Sequence, residues 1–242
     1  MPPTSTIGFG FKLVSSDNLV PSPPAKIKTF IYLFSNSNFK LRYFTQQSFI
    51  NAEIIVTTDD ESIKKTVASS RYSQNVNIID RPAELAQDNS NTLDVIVHVL
   101  HYKNNSNYSH FILLQPTSPL RNFMHIQKAW ELYKKEEADT LVSVVASNHP
   151  PQKMLIRENG DVYPLTCYED LTKPRQMLPK AYLPNGAIYI CKINNFIKSK
   201  NLFEGRLVLF EMSEEESIDI DTYNDIAKAQ QLLMQSLNFK KG

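Results

Sequence analysis

The sequence predicts an α/β fold with a mainly parallel sheet. From about residue 53 onward, short β-branched segments alternate with amphipathic segments at helical spacing. Strands that alternate with helices of about 10–15 residues are typical of βαβ units. The chain has 242 residues with 42% hydrophobic and 21% charged content, which is enough for one large domain or a domain with a small appendage.

The first predicted elements lie between residues 53 and 100. Residues 53–58 (EIIVTT) predict a strand, and the acidic residues 59–61 offer a start for a helix over 62–69. Residues 75–79 predict a second strand. Ser90 and Asn91 can cap a helix, whose apolar face is formed by Leu93, Ile96, Val97 and Leu100.

The second half continues the alternation. Residues 111–114 predict a fully buried strand, and Asn122 caps a helix whose apolar face is Phe123, Ile126, Trp130 and Tyr133. Further strands are predicted at 140–146, 187–190 and 207–210, before a final amphipathic helix over 221–237.

Composition divides the chain into four regions. Residues 1–50 hold seven of the 13 Phe and five of the 14 Pro, and carry a charge of +4 against −3 for the rest. We therefore separate a divergent N-terminal segment (1–50) from an α/β core (51–147). Residues 148–183 contain several prolines and few periodic signals, which indicates a lobe inserted over the sheet edge. Residues 184–242 complete the core.

Charge, cysteine content and hydropathy exclude several classes of protein. The formal net charge of +1 provides no field that would attract nucleic acid or an anionic membrane. Two cysteines in separate segments do not form a disulfide framework, which favours the cytoplasm. No apolar run approaches the roughly 20 residues of a membrane span, and the N-terminus lacks a signal-peptide pattern.

Three polar segments are predicted to meet at one edge of the sheet. They are residues 57–59, 115–119 and 219–221, and each follows or approaches the carboxyl end of a predicted strand. Ligands of open α/β sheets bind at this edge. The sequence therefore predicts a binding site here.

Asp219 and Asp221 are the candidate metal ligands. In an extended segment, residues two apart face the same way about 6.6 Å apart, so both carboxylates would be presented together while Ile218 and Ile220 face the core. Mg²⁺ relieves such repulsion and typically uses one or two carboxylates plus phosphate oxygens. The alternative is an acidic N-terminal cap on the last helix.

Other candidate ligand-binding residues have simpler structural explanations as well. Gln115 lies in a proline-stiffened turn (115–121, QPTSPLR), which is also suited to a rigid connection. Arg81 can contact a base or phosphate, or pair with Glu84 on the surface, while Ser90 and Thr92 lie at a helix N-terminus. Two segments in and after the lobe are 173–176 (KPRQ) and 183–189 (LPNGAIY); they offer Arg175 and Asn185, with Lys153 as a further cation.

In this order, the segments EIIVTTDD, RPAELA, LLQPTSPLR, KPRQMLP, PNGAIYI and SIDIDT resemble the acylneuraminate cytidylyltransferases over residues 41–237. The resemblance implies a Rossmann-like nucleotidyltransferase fold, usually homodimeric, that joins CTP to sialic acid and releases pyrophosphate. Magnesium, or manganese, would be held by the catalytic and metal-binding pair Asp219 and Asp221.

The resemblance also assigns the remaining roles. Cytidine would be held by Arg81, Ser90 and Thr92. The acyl sugar and its carboxylate would be held by Gln115, Lys153, Arg175 and Asn185. Tyr189 and Phe203 would line the pocket, with Phe203 reaching toward the neighbouring subunit across the dimer interface.

The N-terminus departs from the family. In the family, a first strand is followed by a Gly/Ser-rich loop and a Lys-Asn pair that hold the triphosphate. This chain has no glycine between Gly10 and Gly160. Residues 6–14 suit a first strand, but residues 15–24 (SSDNLVPSPP) lack amide donors at three prolines. A degenerate loop, an altered reading frame or a substituting role for the lysines of 26–40 would each explain this, and we expect weakened activity.

Two alternative functions remain open at the level of sequence. One is a cytidylyltransferase for another nonulosonic acid, such as legionaminic or pseudaminic acid, or for Kdo. The other is a non-catalytic homologue that binds a nucleotide or a sugar.

Overall fold

A computed structural model of the chain describes residues 52–70, 73–87, 89–103 and 108–239, together with three N-terminal strands at 6–7, 11–12 and 29–34. Residues 15–24, where the phosphate-binding loop was expected, lie outside the described residues. The first two strands, β1 (Thr6–Ile7) and β2 (Phe11–Lys12), form a separate antiparallel hairpin. The predicted first strand over residues 6–14 is therefore wrong.

The described strands include a seven-stranded sheet. Its members are β3 (Thr29–Phe34), β4 (Ala52–Thr58), β5 (Val76–Asp80), β6 (His110–Leu114), β7 (Thr140–Ala146), β10 (Tyr182–Lys192) and β11 (Leu207–Met212). Their spatial order is β11-β7-β10-β6-β3-β4-β5. The α/β class and the strands predicted after residue 53 are confirmed.

The sheet is mixed rather than mainly parallel. Strands β3 and β10 run against their neighbours on both sides, so only the β4–β5 and β7–β11 pairs are parallel among the described strands. Antiparallel neighbours need no crossover helix. The sheet therefore differs from the prediction at the two strands that no crossover helix precedes. The lobe leads directly into β10, and no helix was predicted before β3.

Helices cover both faces of the sheet. On one face α1 (Glu61–Ala68) and α3 (Phe123–Lys135) pack against residues such as Val56 and Leu114. On the other face α2 (Thr92–Tyr102) and α5 (Ile193–Ser199) pack against Leu113 and its neighbours. The alternation of residues along β6 therefore supplies two separate cores, as expected for a strand buried on both faces.

Sequence caps set the helix boundaries. Asp60, Asn91 and Asn122 accept hydrogen bonds from the first backbone amides of α1, α2 and α3. The predicted cap at Asn122 is thereby confirmed, whereas α2 is capped by Asn91 alone. The final helix, α6 (Tyr223–Phe239), begins two residues later than predicted.

The segment between β7 and β10 carries its own hairpin. Strands β8 (Leu155–Glu158) and β9 (Asp161–Pro164) pair with each other and are followed by the short helix α4 (Tyr168–Thr172). No helix in the described ranges is long and apolar enough to cross a membrane.

Candidate functional site

The carboxyl ends of β4, β5 and β6 bring the predicted polar segments to one edge of the sheet. Arg81, directly after β5, donates from its backbone to Thr58 O (3.2 Å) and from Nη2 to Thr57 O (2.7 Å). The glutamine turn, residues 115–119, follows β6. Its Thr117 carbonyl accepts a hydrogen bond from the backbone of Ile220 (2.9 Å). This contact places the acidic segment, residues 217–222, directly against the glutamine turn.

The acidic segment is not a regular strand, but its exposure alternates as predicted. Ile218 and Ile220 are half-buried, whereas Asp219 and Asp221 are exposed. Neither carboxylate has a hydrogen bond or ion pair within the residues that the structure describes. Both are therefore available to a ligand.

The alternative role of Asp221 as a helix cap is taken by Asp225. Its Oδ2 accepts from the Thr222 backbone (2.8 Å), from Thr222 Oγ1 (2.7 Å) and from the Asp221 backbone (3.3 Å). A carboxylate in the first turn of a helix interacts favourably with the exposed amides. The cap of α6 thus leaves the Asp221 side chain uncommitted.

Gln115 is held close to the start of the long strand β10. Its backbone amide donates to Gly186 O (3.4 Å), and a Cβ at Gly186 would lie 2.2 Å from Gln115 Oε1. Gly186 has φ +72°, which also favours glycine. The Gln115 side chain therefore occupies space that a side chain at position 186 would fill, and glycine leaves that space free.

Arg121, to which the sequence pattern assigned no role, stabilises this turn. It is buried, and its Nη1 donates to Gln115 O (2.9 Å) and Ala187 O (2.8 Å). One guanidinium thus joins the end of β6 to β10. The sequence feature that could have identified Arg121 is its place as the single charged residue of the motif 115–121 (QPTSPLR).

Asn185 is committed to internal hydrogen bonds. Its Oδ1 accepts from Ser143 Oγ (2.6 Å), and its Nδ2 donates to Ser217 Oγ (2.9 Å). Ser118 Oγ also donates to the Asn185 backbone carbonyl (3.2 Å). The side chain predicted to bind the sugar therefore ties β7, β10 and the acidic segment together.

The candidate cytidine-binding residues occupy the neighbouring part of the edge. Arg81 is buried, and this burial lowers the pKa of its guanidinium, while Asp59 acts in the opposite direction. Ser90 Oγ closes a local turn, because it accepts from the Gln87 backbone (3.0 Å) and donates to Glu84 O (3.1 Å). Thr92 is the first residue of α2, close to its exposed amides.

The lobe residues are placed differently. Lys153 Nζ donates to Leu171 O (2.8 Å) and also contacts Lys173 O, so it binds the C-terminal end of α4. Arg175 is exposed, and its guanidinium has no hydrogen-bond or ion-pair partner among the described residues. No hydrogen bond in the described ranges joins either cation to the glutamine turn.

Tyr189 and Phe203 lie beside each other. Their rings are nearly perpendicular, at 88° with centroids 6.5 Å apart, and Phe203 is largely exposed. Burial raises the pKa of Tyr189, with a further contribution from Asp219. The tyrosine thus senses one of the two free carboxylates.

Comparison with known proteins finds consistent relatives. The chain is 35% identical to an N-acylneuraminate cytidylyltransferase of Escherichia coli O18:K1:H7 and 31% identical to one of Streptococcus agalactiae serotype V, over 76% and 73% of this chain. It spans only 42% and 41% of those proteins, about two fifths of their length. It is 30% identical to a CMP-N,N'-diacetyllegionaminic acid synthase of Legionella pneumophila, over 77% of this chain and 80% of that protein. No protein-family model matches the chain.

Proposed function

Because this chain belongs to the acylneuraminate cytidylyltransferase family, we propose that it transfers CMP from CTP to an acylneuraminate or related nonulosonic acid and releases pyrophosphate. The observation that supports this most directly is the Ile220–Thr117 hydrogen bond of 2.9 Å. It brings two uncommitted carboxylates to the turn that carries Gln115. We assign the core to a Rossmann-like nucleotidyltransferase fold with the inserted lobe at residues 148–183.

The donor set suits Mg²⁺ or Mn²⁺ bound together with CTP. Among the described residues no group of three or more His, Cys, Asp or Glu side chains could hold a metal alone. Asp219 and Asp221 supply two oxygen ligands, which matches a hard cation that takes its other ligands from phosphate and water. When bound, the ion would neutralise charge on the phosphate oxygens.

The protein's own contribution is orientation and electrostatics. In the proposed reaction, the anomeric hydroxyl of the sugar attacks the α-phosphate of CTP while pyrophosphate leaves. Asp219 and Asp221 would fix the nucleotide's metal complex, and Arg81, Ser90 and Thr92 would hold the cytidine part. The sugar and its carboxylate would be oriented by Gln115, Lys153 and Arg175. Asn185 would support them through its hydrogen bonds with Ser143 and Ser217.

Calorimetry with CTP and Mg²⁺, combined with a pyrophosphate-release assay, tests this function. Asp219→Asn and Asp221→Asn should each lower turnover by about 10²–10³-fold and weaken CTP binding only when Mg²⁺ is present. Asp161→Asn, at the exposed first residue of β9, is the control and should match the wild type. Unchanged metal-dependent CTP binding in both site variants would overturn the proposal.

We expect the turnover of this chain to be below the ordinary enzymatic range of about 1–10³ per second. The physical reason is that residues 15–24 lack the amide-rich loop expected for the triphosphate. A rate within that range would show that other groups replace the loop.

The Legionella relative favours a second candidate substrate. Its similarity to this chain extends over 80% of its own length, and its name specifies a legionaminic acid product. Competition between N-acetylneuraminate and N,N'-diacetyllegionaminate in the pyrophosphate assay separates the two, because the better substrate has the higher kcat/KM.

We further propose that the chain acts as a homodimer in the cytoplasm. The lobe exposes several large apolar side chains, among them Leu155, Val162, Tyr168 and Met177. We take these exposed apolar side chains as the candidate interface, and exposed Phe203 is available to a neighbouring subunit. The free thiols Cys167 and Cys191 suit a reducing compartment.

A further inference from the structure

Four contacts anchor the acidic segment and the turn that leads into it, one of them a hydrogen bond from Asn148 Nδ2 to Glu214 Oε2 (3.1 Å). Ile220 donates to Thr117 O, and Ser217 Oγ accepts from Asn185 Nδ2. The fourth contact joins Glu216 Oε1 to His125 Nε2 at 3.0 Å. Only this last contact pairs two ionisable side chains, and it links the segment to helix α3.

The hydrogen bonds of His125 fix its tautomer. The Asn122 backbone amide donates to His125 Nδ1 (3.2 Å), so Nδ1 is an acceptor and the ring proton resides on Nε2. Nε2 therefore donates to Glu216 Oε1. The second oxygen of Glu216 accepts from the Ser213 backbone (3.3 Å) and from Ser213 Oγ (3.0 Å). Both ends of this pair are thus held in one orientation.

Capping of α3 does not itself require histidine. His125 occupies the N3 position of a capping box, where Glu and Gln normally receive the N-cap amide. A glutamate here would serve the cap equally but would repel Glu216. What the histidine adds is the second hydrogen bond, which holds Glu216 three residues before Asp219.

We propose that His125 and Glu216 are positioning residues that hold the acidic segment against the glutamine turn, so that a metal–CTP complex meets a prearranged pair of carboxylates. This inference rests on the proposed function. Asp219 and Asp221 repel each other in an irregular segment, and without fixed anchors the segment would relax to separate them. Partners that orient metal ligands in this way typically change metal affinity by about 10–100-fold.

The test uses His125→Glu, which keeps the capping box and opposes Glu216. We expect its Mn²⁺ half-saturation, measured by electron paramagnetic resonance with CTP present, to rise about tenfold or more. Its thermal midpoint should fall, because a second carboxylate at this buried position opposes Glu216, so the half-saturation is measured well below that midpoint. Adding Glu216→Lys to His125→Glu replaces the repulsion between the two carboxylates with an ion pair and should recover most of the metal affinity.

Two further variants make the outcome decisive. Glu216→Gln removes the charge but keeps an acceptor, so it should shift the half-saturation less than His125→Glu does, and it serves if His125→Glu does not fold. If Asp219→Asn weakens Mn²⁺–CTP binding while the His125 and Glu216 variants leave it unchanged, this inference fails and the proposed function stands. If Asp219→Asn and Asp221→Asn leave that binding unchanged, the proposed function itself fails.

Discussion

At the scale of single residues, the shape of the site depends on a glycine that faces the glutamine turn. Gly186 has φ +72° and leaves room for Gln115 Oε1, whereas Gly160 has φ +94° and a Cβ added there would have no atom within 4 Å. The two positions share the backbone constraint and differ only in their surroundings. They form a matched pair for mutagenesis.

We expect Gly186→Ala and Gly160→Ala each to destabilise the fold by about 1–3 kcal/mol, because alanine disfavours a positive φ. Only Gly186→Ala should also raise the KM for the acyl sugar, since it displaces Gln115. Urea unfolding and steady-state kinetics measure the two effects. Equal KM values in the two alanine variants would show that Gln115 does not orient the sugar.

The sequence predicted the exposure of the acidic segment better than it predicted the contacts of Asn185. The alternation of Ile218 and Ile220 with two aspartates predicted which side chains are exposed, and the structure agrees. Asn185 was expected to face a pocket, yet its amide joins Ser143 and Ser217. These partners are 42 and 32 residues away along the chain, and local pattern carries no information about such pairings.

At the scale of secondary structure, the start of β6 carries an aromatic cluster with a titratable centre. His110 packs edge-on against Trp130 and Tyr133, with both centroid distances at 5.7 Å. Burial, assisted by the nearby Lys192 cation, lowers the pKa of His110 to about 4. The histidine is therefore neutral in the folded protein at pH 7.

This shift makes stability depend on pH. In the unfolded chain a histidine has a pKa near 6.5, so below that pH the unfolded state takes up a proton that the fold excludes. The contribution of neutral His110 to the free energy of unfolding is present above pH 6.5 and is lost as the pH falls toward 4. Allowing for the ring's partial contact with solvent, we expect a loss of about 2 kcal/mol.

Urea unfolding at pH 7, 5 and 4 measures this loss, and His110→Gln should reduce it relative to wild type. His149→Gln changes an exposed loop residue and should keep the wild-type dependence. Identical pH dependence in His110→Gln and wild type would show that another group is responsible.

Elements with strong local signals were predictable, and their directions were not. Asp60 and Asn122 marked true helix starts because a cap acts on amides two or three residues away. The strand at 187–190 was found, but β10 begins at Tyr182 and runs antiparallel to β6 and β7. Strand direction depends on how the lobe re-enters the sheet, which is a property of the tertiary fold.

At the scale of the whole molecule, β3 connects the divergent N-terminus to the site. Thr29, its first residue, pairs with Thr57 at the edge where the polar segments meet. The position between β6 and β4 is thus filled by residues 29–34, which follow the proline-rich segment instead of preceding it. Residues 29–34 (TFIYLF) are of the β-branched and aromatic type that favours a strand, but no strand was predicted there because residues 1–50 were separated on composition.

The exposed apolar side chains of the lobe also lead to a prediction about the proposed dimer. The lobe exposes 59% of Leu155 and 70% of Met177, while Met234, which lies outside the lobe on α6, is similarly exposed at 65%. Burying such side chains against a second copy would contribute about 1.5–3 kcal/mol each. If the lobe forms the dimer interface, a charge introduced there should separate the subunits.

We therefore expect sedimentation to give a mass near twice 27.7 kDa for the wild type. Leu155→Glu with Met177→Glu should shift the protein to the monomer, because two buried carboxylates without partners oppose association. Met234→Glu adds the same charge outside the lobe and should leave the mass unchanged. A monomeric wild type would exclude the lobe as the interface. A dimer that persists in the double variant and dissociates in Met234→Glu would exclude it as well, because a charge in the lobe separates the subunits only if they are in contact there.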